Sequence, residues 1–345
     1  MKYFYLKKIK YIFSYLYFQF KMVLMISNLR KGIVNMRKKI SFLLCVILLL
    51  TSGCSRYNKN VRFGAADIGG MYYTFANTFT QIASDNISDY TFEVKATAGS
   101  SANLRLLSEN YIELGIAQAD LIKDAYNKND NIRAIAALYT EACQLVVRAD
   151  SDITSLNDLQ GRTISIGSSE SGTELNATKI LEFSGLPSAI INTENMDYTE
   201  AADSLESGQI DAFFCTAGIK TTVIDELAKK CDIRLVSIDD SCINKMLQYS
   251  DAYTKYTIPA DTYPGQTENV ETIGVKSVLL ASDSMSDDLV EKLTGLLFSE
   301  SNKLQYSASM DLEIGDTFST EGVPIPFHDG ALKYYEKHNI KTDNN

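Results

Sequence analysis

The sequence predicts an α/β fold with two similar lobes and a ligand cleft between them. Strand-like and helix-like segments alternate from residue 61 to about residue 240, which is the pattern of a mainly parallel α/β sheet. These segments form two series with similar layouts. Two further apolar, β-branched runs, 143–148 and 272–281, lie outside both series and are placed to link the lobes as a two-strand hinge.

The first series begins with a strand at 62–66 and a helix that follows Gly69 and Gly70. On this helix, apolar residues at spacings of three and four, from Tyr72 to Ala83, predict one buried face. A strand at 92–96, a helix that ends at Asn110, and strands at 112–117 and 132–138 complete the series.

The second series has a similar layout. It contains a strand at 162–166, helices at 173–184 and 199–207, a strand at 210–215, a helix at 219–229 and a strand at 232–238. Residues 112–120 (IELGIAQAD) and 210–218 (IDAFFCTAG) both follow a helix and a tight turn, and both begin with Ile and an acidic residue. This similarity suggests two related α/β lobes, although a tight turn alone could produce it.

Residues 36–53 read as a secretory signal, with a basic start, an apolar run at 40–50 and small residues before Cys54. The apolar run is too short to span a membrane, which takes roughly 20 residues. The ending Ser-Gly-Cys resembles a bacterial lipobox, with Thr51 where Leu is usual. We therefore expect a lipoprotein signal peptide, lipid attachment at Cys54 and a linker at 54–60. The alternative is an ordinary signal peptide in which Cys54 occurs by chance.

Residues 1–35 are basic and aromatic without a globular pattern, and we interpret them as a non-native extension upstream of a start at Met36. Residues 1–53 hold ten of the 33 Lys and Arg residues and none of the 43 Asp and Glu residues. The remaining chain therefore has a net charge of about −20. Such an acidic surface repels nucleic acid and anionic headgroups, so neither is an expected partner.

The cysteines and histidines give no sign of a metal site or of histidine-based catalysis. The chain has no CxxC or HxxH spacing, so we expect neither a metal nor another cofactor. His328 and His338 lie far along the chain from every glycine-rich turn. Cys231 and Cys242 could form a disulfide in an oxidising compartment, or remain free thiols.

The expected cleft lies beyond the carboxyl ends of the strands, where open α/β sheets bind ligands. Five loops rich in Gly, Ser and Thr fall there, at 67–73, 97–103, 118–120, 168–173 and 216–220. Such loops can present backbone N–H groups closely, and a helix N-terminus favours an anion. The pattern predicts a site for a carboxylate. Ser171 and Thr173 could equally be ordinary helix caps.

Carboxylates near the same loops act against a simple anion. Asp67, Asp120 and Glu174 have ordinary structural roles open to them, such as capping a helix. If one of them faces the cleft, it suits a ligand with an ammonium group as well as a carboxylate, such as an amino acid. Tyr72 and Tyr73 could either contact the ligand or pack in the core.

Seven segments, in this order, resemble the solute-binding proteins of the TAXI class, the extracytoplasmic receptors of tripartite ATP-independent periplasmic (TRAP) transporters. They are GGMYYTFAN, ATAGSSANLRLL, ELGIAQAD, AIAALYTEACQLVVRADS, SSESGTELNA, AADSLESGQIDAFFCTAG and TIPADTYPGQ. The resemblance runs from about residue 61 to the PIPFHDGALKYYEKH segment near the C-terminus. One departure is Ala98 before Gly99, where two glycines are common in the family.

The resemblance implies a type II periplasmic-binding-protein fold, with lobe I at 61–145 and 275–345 and lobe II at 146–274. It implies capture of glutamate, glutamine or a related dicarboxylate by cleft closure and delivery to a TRAP membrane permease, without catalysis. The expected lipid anchor at Cys54 would place the protein on the outer face of the cytoplasmic membrane, or in the periplasm. A receptor that signals to a membrane sensor protein is the alternative. By position, the implied ligand-binding residues are Gly70, Tyr72, Tyr73, Gly99, Ser100, Asn103, Gln118, Asp120, Ser171, Gly172, Thr173, Thr216, Ala217 and Gly218.

Overall fold

The computed structural model describes residues 59–308 and 311–342, together with Lys21, Met22 and Met25. The predicted upstream extension, the signal peptide and Cys54 therefore lie outside the described residues, apart from those three positions. The chain from Tyr57 to Asn345 forms one compact unit. Across the described ranges, no helix combines the length and the hydropathy that a membrane span requires.

One mixed sheet of ten strands organises this unit. The strands are β1 (Asn60–Gly64), β2 (Thr91–Lys95), β3 (Leu114–Gln118), β4 (Ile132–Arg148), β5 (Thr163–Ser165), β6 (Asn192–Glu194), β7 (Ala212–Ala217), β8 (Ile233–Val236), β9 (Tyr253–Ile258) and β10 (Val270–Ser282). Their order is β2-β1-β3-β10-β4-β7-β5-β6, while β8 pairs with β4 and β9 with β10.

Helices connect most of the strands. They are α1 (Met71–Asn86), α2 (Ser100–Ser108), α3 (Ala119–Lys128), α4 (Gly172–Phe183), α5 (Tyr198–Glu206), α6 (Thr222–Lys230), α7 (Asp240–Tyr249), α8 (Asp287–Ser299), α9 (Ser301–Ala308) and α10 (Asp329–Lys337). On α1, the predicted apolar face from Tyr72 to Ala83 is buried, which confirms the prediction. Its Phe75 and Phe79 rings contact Phe63 of β1 edge-on, at centroid distances of 6.4 and 6.5 Å.

The two predicted series form two similar halves of the sheet. Strands β2, β1 and β3 are parallel, and β10 runs antiparallel beside β3. Strands β6, β5 and β7 are also parallel, and β4 runs antiparallel beside β7. The similar segments 112–120 and 210–218 thus contribute β3 and β7, which occupy equivalent positions. The sheet is mixed rather than mainly parallel, because β4 and β10 run against their neighbours.

Strands β4 and β10 are the long strands that join the two halves. The predicted strands at 132–138 and 143–148 are one continuous strand, β4, which pairs with β10 from Ile132 to Ala142 and with β7 from Ala142 to Val147. Strand β10 pairs with β9 at its start and with β3 near its end. Each long strand therefore passes from one half of the sheet to the other.

Candidate functional site

A cleft lies where the loops after β1, β2, β3, β5 and β7 meet. Its walls are formed by Ala66, Asp67, Gly70, Met71, Tyr72, Ala98, Gly99, Ser100, Gln118, Glu141, Ser168, Ser171, Gly172, Thr173, Tyr198, Thr216 and Ala217. The space inside the cleft has a volume of about 40 Å³, and on the same measure a single water molecule needs roughly 10–15 Å³. A solute of amino-acid size therefore needs the walls to move apart from this closed arrangement.

Ten of the residues predicted to bind a ligand line this cleft. They are Gly70, Tyr72, Gly99, Ser100, Gln118, Ser171, Gly172, Thr173, Thr216 and Ala217. These residues come from both halves of the sheet, and each lies on a loop beyond a strand or on the helix or strand next to it. The rule that ligands bind beyond the carboxyl ends of strands thus locates the place where they meet.

Four predicted residues lie outside the walls of the cleft. Asn103 is fully buried, and its amide donates to the carbonyls of Ala65 and Ile116, which fixes α2 against β1 and β3. Tyr73 is partly buried and packs against the core. Gly218 leaves space for Met71, because a Cβ atom there would lie 2.7 Å from the methionine methyl group. Asn103, Tyr73 and Gly218 therefore support the residues that form the walls of the cleft.

Asp120 is the fourth of these residues, and it links elements from the two halves of the sheet. One of its carboxylate oxygens accepts hydrogen bonds from Asn176 of α4 at 3.0 Å and from Tyr253 of β9 at 2.6 Å. Burial raises the pKa of Asp120 to about 6, and these two hydrogen bonds partly offset that effect. The residue acts as a hydrogen-bonded connection beside the cleft.

Three helix N-termini converge on the cleft. The residues immediately before α1, α2 and α4 are Gly70, Gly99 and Ser171, and all three line the walls. Gly70 and Gly99 have no side chain that could cap their helices, so the first N–H groups of α1 and α2 are free of side-chain acceptors. Together these helix ends make the cleft attractive to an anion.

The start of α4 shows why small residues occupy the segment 167–173. Ser171 caps the helix by accepting a hydrogen bond from the Glu174 N–H at 3.0 Å, while it also lines the cleft. A Cβ atom at Gly172 would overlap the side chain of Gln118, so only glycine permits this close approach. The helix therefore reaches the opposite wall of the cleft through a residue without a side chain.

Thr173 connects α4 to the strand and helix that follow it. Its hydroxyl accepts a hydrogen bond from the Thr216 N–H at 3.2 Å and lies 2.6 Å from the Tyr198 hydroxyl. Tyr198 also donates to the Thr216 carbonyl at 3.0 Å. The Thr173 hydroxyl is thus already engaged within the protein, which favours a positioning role for it.

Glu141 is a cleft residue that the sequence analysis missed. It lies on β4, is 2% exposed, and accepts a hydrogen bond from the Gln118 amide at 2.8 Å. Burial raises the pKa of Glu141 to about 8, partly offset by that hydrogen bond. One signal was available, since Glu141 is the only charged residue between Arg133 and Arg148 in an otherwise apolar stretch.

Several buried polar atoms around the cleft lack a hydrogen-bond partner. They include the hydroxyl groups of Tyr72, Tyr139 and Thr216 and the amide oxygen of Gln118. A buried polar atom without a partner costs roughly 1–3 kcal/mol. Tyr72, Gln118 and Thr216 are residues of the cleft wall, so their unpartnered atoms lie where polar groups of a ligand can pair with them.

The structure also addresses the metal site and the Cys231–Cys242 disulfide that were considered from the sequence. Among the described residues, no group of three or more His, Cys, Asp or Glu side chains is arranged to hold a metal ion. Cys143, Cys215, Cys231 and Cys242 are free thiols, so Cys231 and Cys242 form no disulfide in this structure.

Two solved structures share the fold at low sequence identity. PhnD1 from Prochlorococcus marinus, in complex with methylphosphonate, is 11% identical with a TM-score of 0.55, covering 82% of this chain and 99% of its own. A binding protein component of an ABC phosphonate transporter from Pseudomonas aeruginosa is 11% identical with a TM-score of 0.50, covering 74% of this chain and 80% of its own. These similarities confirm the predicted α/β, type II periplasmic-binding-protein fold with two lobes.

The sequence comparison covers the same region as the cleft and its supporting strands. The NMT1-like family matches residues 63–338, from β1 to the end of α10, and this range includes every residue that lines the cleft. Since the match covers most of the chain, the protein belongs to the NMT1-like family.

Proposed function

We propose that this protein is an extracytoplasmic solute-binding receptor that captures a small carboxylate solute in the cleft and delivers it to a membrane permease. The observation that carries the proposal is the convergence of three helix N-termini, before α1, α2 and α4, on one cleft. The solutes that the sequence resemblance suggests are glutamate, glutamine and related dicarboxylates. A binding role without catalysis agrees with the family and with the fold.

The helix ends supply enough favourable energy to hold a carboxylate without a paired arginine. Each helix N-terminus contributes roughly 0.3–1 kcal/mol to an anion, and up to about 2 kcal/mol in a partly buried site. Each charge-assisted hydrogen bond from an N–H group adds about 1.5–3 kcal/mol. No Lys, Arg or His is among the residues that line the cleft, so these backbone groups would be the source of positive potential.

Contacts across the cleft fit a receptor that closes around its solute. We place lobe I at 61–145 and 275–345 and lobe II at 146–274, with β4 and β10 as the hinge. In this structure Ser168 donates to Asp67 at 2.9 Å, and Arg105 forms an ion pair with Glu170 at 2.8 Å. Both contacts join the proposed lobes at the mouth of the cleft and would break on opening.

The proposed permease partner is of the TRAP type, which the ordered sequence segments favour. We further propose a lipid anchor at Cys54 and a location on the outer face of the cytoplasmic membrane or in the periplasm.

Solute uptake by cells that express the chain with its permease tests whether an ion gradient drives transport. A TRAP transporter loses uptake when the ion gradient is dissipated while ATP is maintained. A receptor that signals to a sensor protein supports no uptake at all.

A thermal-shift screen of the purified full chain tests the receptor role. The solutes are L-glutamate, L-glutamine, 2-oxoglutarate, other dicarboxylates and branched-chain amino acids. A solute at about 100 times its dissociation constant should raise the free energy of unfolding by about 2.7 kcal/mol, which gives a clear shift in Tm. If none of these carboxylates produces a shift at millimolar concentration, the proposed substrate class is wrong.

A further inference from the structure

Glu141 occupies the base of the cleft, where the two long strands join the halves of the sheet. Its backbone pairs with Val275 of β10, while the neighbouring Ala142 pairs with both β7 and β10. This position on paired strands fixes the carboxyl group more rigidly than a loop would. Because Glu141 is 2% exposed yet lines the cleft, its carboxyl group faces the enclosed space rather than the outer surface.

Both donors and acceptors surround Glu141, since the Tyr72 and Tyr139 hydroxyls and the Gln118 amide lie beside it. Gln118 donates its amide N–H to one oxygen of Glu141, and this leaves the amide oxygen of Gln118 buried without a partner. That oxygen can only accept hydrogen bonds, and so can the Glu141 carboxyl group once a cation beside it favours its ionised form. Two acceptors at one place match a group with several N–H donors, such as an ammonium, which has three.

The charges that line the cleft favour a cation at the same place. Asp67 and Glu141 are the acidic residues of the walls, and no Lys, Arg or His is among the residues that line it. Asp67 already accepts a hydrogen bond from Ser168, and it is partly exposed, whereas Glu141 is buried. An ionised carboxyl buried at the position of Glu141 is costly without a positive partner, and the walls supply none.

We infer that the cleft selects solutes that carry an ammonium group, and that Glu141 binds this group while the helix N-termini hold the carboxylate. The inference rests on the proposed receptor function and narrows its solutes to amino acids. The cleft then combines one buried acidic group, Glu141, with the N-terminal ends of α1, α2 and α4, which attract anions. A zwitterion matches both, whereas a dicarboxylate without an amine would place a negative group beside Glu141.

The test compares solutes that differ only in the amine. Dissociation constants are measured by calorimetry on the purified full chain for L-glutamate against glutarate, L-glutamine against its des-amino acid, and L-leucine against 4-methylpentanoate. At least one amino acid should bind about 10- to 100-fold more tightly than its des-amino partner, the factor expected for one charge-assisted hydrogen bond. Equal or tighter binding of the des-amino acids overturns the inference and leaves the receptor function in place. If no compound of either kind binds, the receptor function itself fails, and the inference fails with it.

Variants of the chain then test whether Glu141 is the residue that binds the amine of the solute. Glu141→Gln keeps the size of the side chain and should remove most of the preference for the amine, while the exposed Glu182→Gln makes the same change in charge and should keep it. Asp67→Asn is the competing variant, because Asp67 is the other acidic residue of the walls. If Asp67→Asn removes the preference and Glu141→Gln retains it, the role assigned to Glu141 is wrong. The comparison of solutes on the unmodified chain holds even if a variant fails to fold.

Discussion

At the scale of single residues, two buried carboxyl groups near the cleft serve different purposes. One oxygen of Asp120 accepts hydrogen bonds from Asn176 and Tyr253, and through this oxygen the residue holds α3 against α4 and β9. Glu141 accepts a hydrogen bond from Gln118, has the Tyr72 and Tyr139 hydroxyls beside it, and lines the cleft. The type of residue and its spacing in the sequence did not separate these roles. They depend on which side chains from distant segments lie beside each carboxyl group.

Glu141 should make the stability of the fold depend on pH. Its pKa is about 8 in the folded chain, against about 4.3 for an unperturbed glutamate, so the folded state favours the protonated carboxyl. The resulting stabilisation is complete below about pH 4 and is lost progressively as the pH rises through about 8. Between about pH 6 and pH 8, the free energy of unfolding should fall by up to about 1.4 kcal/mol per pH unit from this group.

Urea unfolding of the ligand-free chain across this pH range checks the prediction. Asp120 titrates mainly below this range, since its pKa is about 6. Glu141→Gln should therefore show a clearly flatter dependence than the unmodified chain, and Glu182→Gln should behave like the unmodified chain. An unchanged slope in Glu141→Gln would show that the carboxyl ionises freely in the folded state.

At the scale of elements, the segment 167–173 combines a helix cap with a wall of the cleft. The two interpretations of Ser171 from the sequence, capping and ligand contact, are compatible in the structure. Its oxygen accepts from the Glu174 N–H, and the residue still lines the cleft. A hydroxyl that accepts a hydrogen bond retains a proton to donate, so one side chain can do both.

Ser171→Ala should lower both stability and affinity. Loss of the cap costs about 0.5–2 kcal/mol of unfolding free energy, and loss of a hydroxyl contact weakens binding by about two- to tenfold. Ser286→Ala is the matched control, because Ser286 caps α8 in the same way, accepting from the Leu289 N–H, and does not line the cleft. Thermal unfolding and calorimetric titration should show that the control loses stability alone. Identical affinity in Ser171→Ala and the unmodified chain would restrict Ser171 to capping.

Most helices and strands of the two series followed from apolar periodicity, and the exceptions have physical causes. Thr140 and Glu141 interrupt the apolar pattern, so β4 was predicted as two strands, yet it continues because Glu141 is buried at the cleft. Strand β6 consists of three exposed polar residues at the edge of the sheet and carries no apolar signal. Local pattern cannot detect a strand that is held only by pairing with its neighbour.

At the scale of the whole molecule, two similar arrangements of strands face each other across the cleft. The alternation of segments predicted the two series, and β3 and β7 confirm that their similar sequences occupy similar places. The antiparallel course of β4 and β10 was not predictable from alternation, because their direction depends on the path of the chain between the halves. Ten of the predicted ligand-binding residues line one cleft, since loops beyond parallel strands meet at one edge.

The molecule is expected to bind one solute in this single cleft. Gly172 is a position where the walls approach closely, since a Cβ atom there would overlap the Gln118 side chain. Gly172→Ala should therefore prevent full closure of the cleft or displace Gln118 from Glu141. Binding should become weaker by about tenfold or more, the factor expected for the loss of one hydrogen-bonded contact. Gly295→Ala is the control, because Gly295 lies within α8 and has ordinary contact distances of 3.5 Å or more.

The most direct measurement is a calorimetric titration of the full chain and these two variants with the solute that gives the largest thermal shift. The account predicts one solute molecule per chain, at least tenfold weaker binding in Gly172→Ala, and unchanged binding in Gly295→Ala. Equal affinity in Gly172→Ala and the unmodified chain, or a stoichiometry other than one, would contradict the assignment of this cleft as the binding site.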